Sequence, residues 1–143
     1  LILMATENIL TKFITAQQED FNMALSEIKN GRKQSHWIWY IFPQIVGLGR
    51  STTSEYYAIK NLSEARMYLK NEYLHNNLLT ICQALLDLET SDAEEVMGRI
   101  DAMKLKSSMT LFTLADSEEQ VFKAVLDKFF CGELDEKTIE ISV

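Results

Sequence analysis

Residues that form turns are scarce in this chain. It has one proline and five glycines among 143 residues, whereas a long all-β chain needs many of both at its turns. Hydrophobic residues make up 47% of the sequence, which is enough for a substantial core in one domain of ordinary size. The composition therefore predicts an all-α fold, a single compact domain over residues 1–143 with about six to eight helices.

Positive charge is also in deficit, since the formal net charge is -7. General nucleic-acid binding needs a basic face that neutralises phosphates, so we do not expect a nucleic-acid polymer as a partner. No segment approaches the ~18 consecutive apolar residues of a membrane span, and the apolar opening Leu1–Met4 is too short for a signal peptide. These features predict no membrane span, and we expect no membrane as a partner.

Cysteine and histidine are too few and too scattered for a disulfide framework or a metal site. The two cysteines, Cys82 and Cys131, each stand among apolar neighbours, which is typical of buried free thiols. The two histidines, His36 and His75, lie far apart in sequence, and no carboxylate accompanies either in a ligand-like pattern. We therefore expect no metal and no other cofactor.

The residue types that are rare elsewhere gather between Gly31 and Ser51. This stretch holds both tryptophans, the only proline, one of the two histidines and three of the five glycines, and it has no acidic residue. Such a composition is typical of a central core element, of the floor of a site, or of both. We expect the segment Trp37–Phe42 to be central, with at least one tryptophan buried.

Hydrophobic periodicity predicts most of the helices. A loose tail, residues 1–5, precedes a first helix of about two turns that is capped by Thr6. Further helices are expected at 18–30, 36–42, 53–59, 63–69, 71–88, 92–98, 102–114 and 121–130, with a last helical turn after Asp135.

Capping residues and one proline set the expected ends of these helices. Ser35 is the expected N-cap of the short helix 36–42, which must stop before Pro43. Gly31 fits the positive φ that follows a helix end, and Ser117–Gln120 resembles a capping box. Residues 37–42 also have the composition of a β-strand, but the surrounding helices favour a helix.

An anion pocket is one interpretation of the stretch from Gly31 to Ser51. Arg32, Lys33 and Arg50 stand near its two ends. Gly47 and Gly49 would let the backbone approach a ligand closely and turn N–H groups towards an anion. A solvated basic loop, in which the glycines serve only for turns, is the other interpretation.

The histidine and the tryptophans of this stretch each allow two roles. His36 is the candidate catalytic residue, because its proton exchanges near neutral pH, or it is a hydrogen-bonded structural residue. Trp37 and Trp39 point roughly 200° apart on a helix, so one should pack inward. The other forms either a second core layer or an aromatic wall on which a ring could stack.

A second candidate group lies on the helix that is predicted at 102–114. Lys104 and Ser108 share a helical face, and Ser107 stands close by, although serines inside a helix also bond back to the carbonyl four residues earlier. The complete predicted ligand-binding set is Arg32, Lys33, Ser35, Trp37, Trp39, Gln44, Gly47, Gly49, Arg50, Ser51, Lys104, Ser107 and Ser108.

Several of these blocks together resemble an uncharacterised bacterial family, domain of unknown function family 1810. The matching blocks are Gly31–Trp37, Phe42–Gln44, Gly47–Ser51, Tyr57–Ile59, Ala65–Arg66 with Tyr68–Leu69, and Lys104–Phe112. The resemblance implies a single, mainly helical domain in a bacterial cytoplasm, and it implies no established activity. Some members carry the automatic label calpastatin, but inhibitors of that kind are long, disordered chains, unlike this amphipathic sequence.

The sequence leaves two functions open. The first is a site, enzymatic or not, for an anionic small molecule that is nucleotide-like or bears a phosphate or carboxylate, built from residues 31–51 and 104–108. The second is a non-catalytic protein-interaction module in which residues 31–51 are structural core and an outer face binds an unknown protein partner. Convergence of Arg32, His36, Arg50 and Lys104 on one pocket would favour the first function, and their scatter over a convex surface would favour the second.

Overall fold

Nine helices account for the regular structure between residues 2 and 143, the part of the chain that this computed structural model describes, with side chains from Ile9 onward. The all-α prediction is confirmed. In chain order the helices are α1 (Ile2–Lys29), α2 (Ile38–Ile41), α3 (Thr52–Tyr57), α4 (Leu62–Lys70), α5 (Glu72–Leu86), α6 (Ala93–Met97), α7 (Arg99–Ala115), α8 (Gln120–Phe130) and α9 (Glu136–Ser142). None of these helices is long and apolar enough to cross a membrane.

The first helix is continuous over 28 residues, so the predicted break between a two-turn helix and a second helix at 18–30 is wrong. The reason lies at Gln17, which is polar yet only 2% exposed. Its side-chain amide donates to the carbonyl of Tyr40 at 2.8 Å and to the hydroxyl of Tyr68 at 2.9 Å, and its amide oxygen accepts from Asn77 at 3.0 Å. A fully bonded glutamine can thus continue the buried stripe of a helix.

The beginning of α1 bears on two expectations. Residues 2–5 of the predicted tail lie within α1, and Leu1 lies outside the described residues. The predicted cap at Thr6 falls on a side chain outside those described. At its other end α1 stops as expected, with Gly31 at a φ of +82°.

The short helix α2 lies at the centre of the fold, and the choice of helix over strand is confirmed. Trp37 and Phe42 at its two ends have no exposed surface, so the expected burial of a tryptophan is also confirmed. The prediction that Ser35 is the N-cap of this helix is wrong. Trp37 holds the N-cap position of α2, and its side chain makes no capping hydrogen bond. The hydroxyl of Ser35 donates instead to Glu27 on α1.

The loop after α2 is closed by one isolated parallel bridge between Ile45 and Ile59. The N–H of Val46 donates to the carbonyl of Ile59, and the N–H of Ile59 donates to the carbonyl of Gln44, both at 2.8 Å. Helix α3 lies inside this closed segment. The bridge therefore fixes the loop that carries the two glycines of the predicted site.

The long helix α7 packs against α2, α4, α6, α8 and α9, so the second predicted ligand group stands next to the first. The prediction of a capping box at Ser117–Gln120, before α8, is wrong. Glu119, not Ser117, holds the N-cap position and accepts from the N–H of Val121 at 3.4 Å, while Asp116 accepts from the N–H of Glu118 at 3.1 Å.

The two cysteines differ from each other. Cys82 is buried, as expected, and burial raises the pKa of its thiol. Cys131 is exposed, so the expectation that both thiols are buried is wrong for this residue. Cys131 ends α8 in the left-handed conformation, with a φ of +55°, and the turn carries its side chain outward.

Candidate functional site

One carboxylate, that of Glu27 on α1, holds the loop Gly31–Trp37 in place. Its Oε1 accepts from the N–H of Gln34 at 2.7 Å, the N–H of Ser35 at 2.9 Å and the indole N–H of Trp37 at 2.9 Å. Its Oε2 accepts from the hydroxyl of Ser35 at 2.6 Å. Partial burial would raise the pKa of Glu27, but hydrogen bonds from Ser35, Gln34 and Trp37 outweigh it and lower the pKa to about 2.

Side chains of this loop alternate between the protein interior and the solvent. Those buried or half-buried are Lys33, Ser35 and Trp37, and those exposed are Arg32, Gln34 and His36. The imidazole of His36 has no hydrogen-bond or ion-pair partner among the described residues, and only the carbonyl of His36 is engaged, by Tyr40 at 3.4 Å. A catalytic role for His36 stays a prediction.

A row of five side chains joins the two groups of residues that the sequence singled out. Asp101 on α7 lies in the middle, with one carboxylate oxygen 2.8 Å from Nζ of Lys33 and the other 3.9 Å from Nζ of Lys104. Each ammonium also lies over an indole ring, Lys33 at 4.8 Å from the centroid of Trp37 and Lys104 at 5.2 Å from that of Trp39. These are cation–π distances.

A small cavity beside Trp39 brings four of the predicted ligand residues together, namely Trp39, Gln44, Gly47 and Gly49. Its volume is about 20 Å³, enough for one water-sized group. The remaining lining residues are Ile45, Val46, Ser54, Glu55, Tyr57 and Ala58. The indole N–H of Trp39 is buried and has no acceptor among the described residues.

The glycines of the cavity wall are required by the backbone and by space. Gly47 has a φ of +96°, a backbone conformation that residues other than glycine rarely adopt. A Cβ on Gly49 would lie 2.5 Å from Cβ of Ser54 at the start of α3. Ser51 caps α3 by accepting from the N–H of Ser54 at 3.0 Å, so this predicted ligand residue has a structural role.

The other predicted residues lie elsewhere. Arg32 and Lys33 line an open hollow together with Glu94 and Glu95, and Arg50 is exposed without lining that hollow or the Trp39 cavity. Ser107 bonds back to the carbonyl of Met103 at 3.1 Å. Ser108 is fully buried on the same face as Lys104, and its hydroxyl has no partner among the described residues.

The predicted basic residues are thus divided, and only Lys104 contacts the cavity wall at Trp39. Two carboxylates organise the site, those of Glu27 and Asp101, and neither was predicted from the sequence. A signal existed, because a segment rich in N–H donors and free of acids needs acceptors from elsewhere. Within the described side chains, no three of His, Cys, Asp and Glu lie together as a metal site.

One solved structure is closely similar to this chain, the conserved hypothetical protein Rv1873 from Mycobacterium tuberculosis. The two sequences are 36% identical, the match covers 93% of this chain and 95% of that one, and the TM-score is 0.91. No match was found among curated proteins. The family described as "Protein of unknown function (DUF1810)" matches residues 7–142. The chain therefore belongs to the DUF1810 family, as the blocks between Gly31 and Phe112 suggested.

Proposed function

We propose that this protein binds a small molecule by one anionic oxygen, from a carboxylate or phosphate group, in the cavity beside Trp39. The observation that carries the proposal is the buried indole N–H of Trp39, which has no acceptor among the described residues. A buried donor without an acceptor lowers the stability of the folded state by about 1–3 kcal/mol. Such donors are rare in folded proteins. Trp39 lines the cavity, and our proposal is that a ligand oxygen held there supplies the acceptor.

Lys104 gives the site its preference for an anion. Its ammonium lies 5.2 Å from the centroid of the Trp39 ring, and its side chain keeps 23% of its surface exposed. Its contact with Asp101, at 3.9 Å, is much longer than the 2.8 Å contact of Lys33 with the same carboxylate. Lys104 therefore has the capacity for a further anionic partner.

The dimensions of the cavity restrict how the ligand binds. A volume of about 20 Å³ admits one oxygen and its hydrogen bonds, but it does not enclose a nucleotide. The rest of the ligand would lie over the exposed rim at Val46 and Gly47. Glu55 also lines the cavity, and its charge opposes an anion. An ordered water is the competing occupant.

The two indole signals in a ¹H–¹⁵N spectrum test the proposal, because the chain has two tryptophans. They are assigned with Trp39→Phe, and the protein is then titrated with sodium phosphate or sodium acetate at constant ionic strength. We expect the Trp39 signal to move and saturate. The Trp37 signal should stay in place, because this indole already donates to Glu27. If neither anion moves the Trp39 signal, or both indole signals move alike, the proposal is wrong.

Two lysines on α7 provide a matched pair of variants. Lys104→Met removes the ammonium beside Trp39, while Lys106→Met removes one that pairs with the exposed Glu133 at 3.3 Å. Both lower the net charge by the same amount. We expect Lys104→Met to weaken anion binding about tenfold, as for the loss of one charge-assisted contact. Lys106→Met should leave it within about twofold, because long-range charge effects are screened.

The interaction-module alternative has two supporting observations. The predicted basic residues do not converge on one pocket within the described part of the chain, and an apolar pair is exposed at the start of α7. Ile100 and Met103 lie three residues apart on the first turns of α7 and are 70% and 69% exposed. The patch formed by two apolar side chains is small compared with the roughly 800 Å² that each partner buries in a stable interface. The indole N–H of Trp39, which has no acceptor among the described residues, points to a small ligand group more directly, so the small-molecule site is our conclusion.

A further inference from the structure

Another hollow, with a different lining from the Trp39 cavity, lies between α1, α2 and α3. Its volume is about 690 Å³, within the range of small-molecule sites. Among the described residues it is lined by Thr11, Lys12, Thr15, Ala16, Glu19, Asp20, Tyr40, Tyr56 and Tyr57. Apart from Tyr40 and Tyr57, none of these residues belongs to the sequence motifs, and apart from Tyr57 none of them lines the Trp39 cavity.

Three tyrosine rings form the aromatic side of the hollow. The rings of Tyr40 and Tyr57 are 5.2 Å apart between centroids, and those of Tyr56 and Tyr57 are 4.8 Å apart in an edge-to-face arrangement. Tyr56 is 58% exposed. Aromatic ring faces attract cations through their negative quadrupole, so an exposed tyrosine cluster is a surface that an organic cation can bind.

The chain itself already places a cation on this surface. The ammonium of Lys12 lies 5.1 Å from the centroid of the Tyr56 ring and donates to the carbonyl of Tyr56 at 2.6 Å. This contact is independent evidence that the geometry around Tyr56 suits an alkylammonium group. Lys12 is long and flexible, so a ligand cation could displace it or bind beside it.

Two carboxylates give the hollow a negative field. Asp20 accepts a hydrogen bond from the hydroxyl of Tyr40. Glu19 is exposed and has no hydrogen-bond or ion-pair partner among the described residues. Burial raises the pKa of Tyr57, and Tyr56, Asp20 and Glu19 raise it further. With one ammonium against two carboxylates, the described lining favours a positive charge.

We propose that this hollow binds an alkylammonium small molecule, with its cationic head on the rings of Tyr56 and Tyr57 and near the carboxylates of Glu19 and Asp20. The ligand class is opposite in charge to that of the Trp39 cavity. Tyr57 lines both sites, but the two proposals rest on different observations, and either can fail alone.

Choline chloride is the probe, and 3,3-dimethylbutan-1-ol is its uncharged counterpart of nearly the same shape. Each is titrated against the ¹⁵N-labelled full chain, with ionic strength held constant by sodium chloride. We expect choline to move the amide signals of Tyr56 and Tyr57 saturably and to leave the Trp39 indole signal unchanged. The neutral alcohol should bind at least about threefold more weakly, because it lacks the cation–π and charge terms.

Single variants measure separately how much the carboxylate charge and the tyrosine ring contribute to choline binding. Glu19→Gln and Tyr56→Leu should each weaken choline binding about threefold or more. Glu89→Gln, the same charge change at an exposed position outside the hollow, should not weaken it. Lys12→Met should strengthen choline binding, because it removes the internal competitor for the Tyr56 ring.

Both Tyr56 and Glu19 are exposed, so these variants should keep the melting temperature of the parent within about 2 °C. Equal binding of choline and the neutral alcohol would overturn the proposal. So would the absence of saturable shifts at Tyr56 and Tyr57, or unchanged affinity in both Glu19→Gln and Lys12→Met.

Discussion

The indole nitrogen of Trp37 lies 2.9 Å from Oε1 of Glu27. Trp37 has no exposed surface, and Glu27 is near the end of α1, so this bond ties the central aromatic residue to the preceding helix. The same carboxylate accepts from Gln34 and Ser35. Much of the loop 31–37 is therefore scaffold, and its bonds fix the direction in which Arg32 and His36 face the solvent.

Glu27→Gln should destabilise the protein strongly for a single polar substitution. It replaces an ionised acceptor of four hydrogen bonds with an amide that turns an NH₂ group towards donors. We expect a loss of about 2–3 kcal/mol in the free energy of unfolding, measured by urea denaturation. Glu19→Gln on the same helix is the control and should cost less than about 0.5 kcal/mol. Equal losses in the two variants would show that Glu27 does not hold the loop.

The stabilisation by Glu27 should depend on pH in a defined window. Its pKa falls from 4.5 to about 2 in the folded protein, so the folded state favours the ionised form. The contribution is fully present above the unfolded pKa of 4.5 and disappears as the pH falls through the folded value of about 2. Urea denaturation of the parent and of Glu27→Gln should give curves that converge across this window. A constant difference down to the lowest pH would contradict the assignment.

Part of this fold could be predicted from sequence because its signals are local. Apolar spacing predicted the helices that became α4, α5, α7 and α8. Gln17 shows the limit, because whether a glutamine breaks a stripe or joins the core depends on distant partners such as Tyr68 and Asn77. Propensity and periodicity contain no information about such partners.

In the candidate site, too, local features could be predicted from the sequence and distant partners could not. The clustering of tryptophans, glycines and basic residues predicted a site within residues 31–51, and four residues of that prediction, Trp39, Gln44, Gly47 and Gly49, line one cavity. The sequence could not show that Asp101, from a helix far along the chain, lies between Lys33 and Lys104. Nor could it show that the indole N–H of Trp37 has an acceptor while that of Trp39 has none among the described residues.

Trp37→Ala should be far more damaging than Trp39→Ala. Trp37 is completely buried, whereas Trp39 is half-buried, so the first substitution leaves the larger unfilled cavity and also removes a donor to Glu27. We expect Trp37→Ala to lower the free energy of unfolding by about 3–5 kcal/mol. Circular dichroism during thermal unfolding gives the comparison. A larger loss for Trp39→Ala would reverse the assignment of core and site.

Asp101→Asn should have two opposite effects. It leaves the ammonium of Lys33, whose side chain is 6% exposed, without its carboxylate, and we expect it to cost about 2–4 kcal/mol of stability. It also frees Lys104 from a competing anion, so phosphate should bind more tightly. Adding Lys33→Met should recover part of the lost stability, as a double-mutant cycle would measure. Additive stability losses, with no change in phosphate binding, would contradict this role of Asp101.

The most direct test of the anion site is to change its local charge in both directions. Phosphate affinity, followed through the Trp39 indole signal, is measured in the parent, in Glu55→Gln and in Lys104→Met. Glu55 lines the cavity and Lys104 lies over the Trp39 ring. Removing the negative charge should tighten phosphate binding severalfold, and removing the positive charge should weaken it about tenfold. Affinities that do not change, or that move in the same direction in both variants, would contradict an anion-binding function at Trp39.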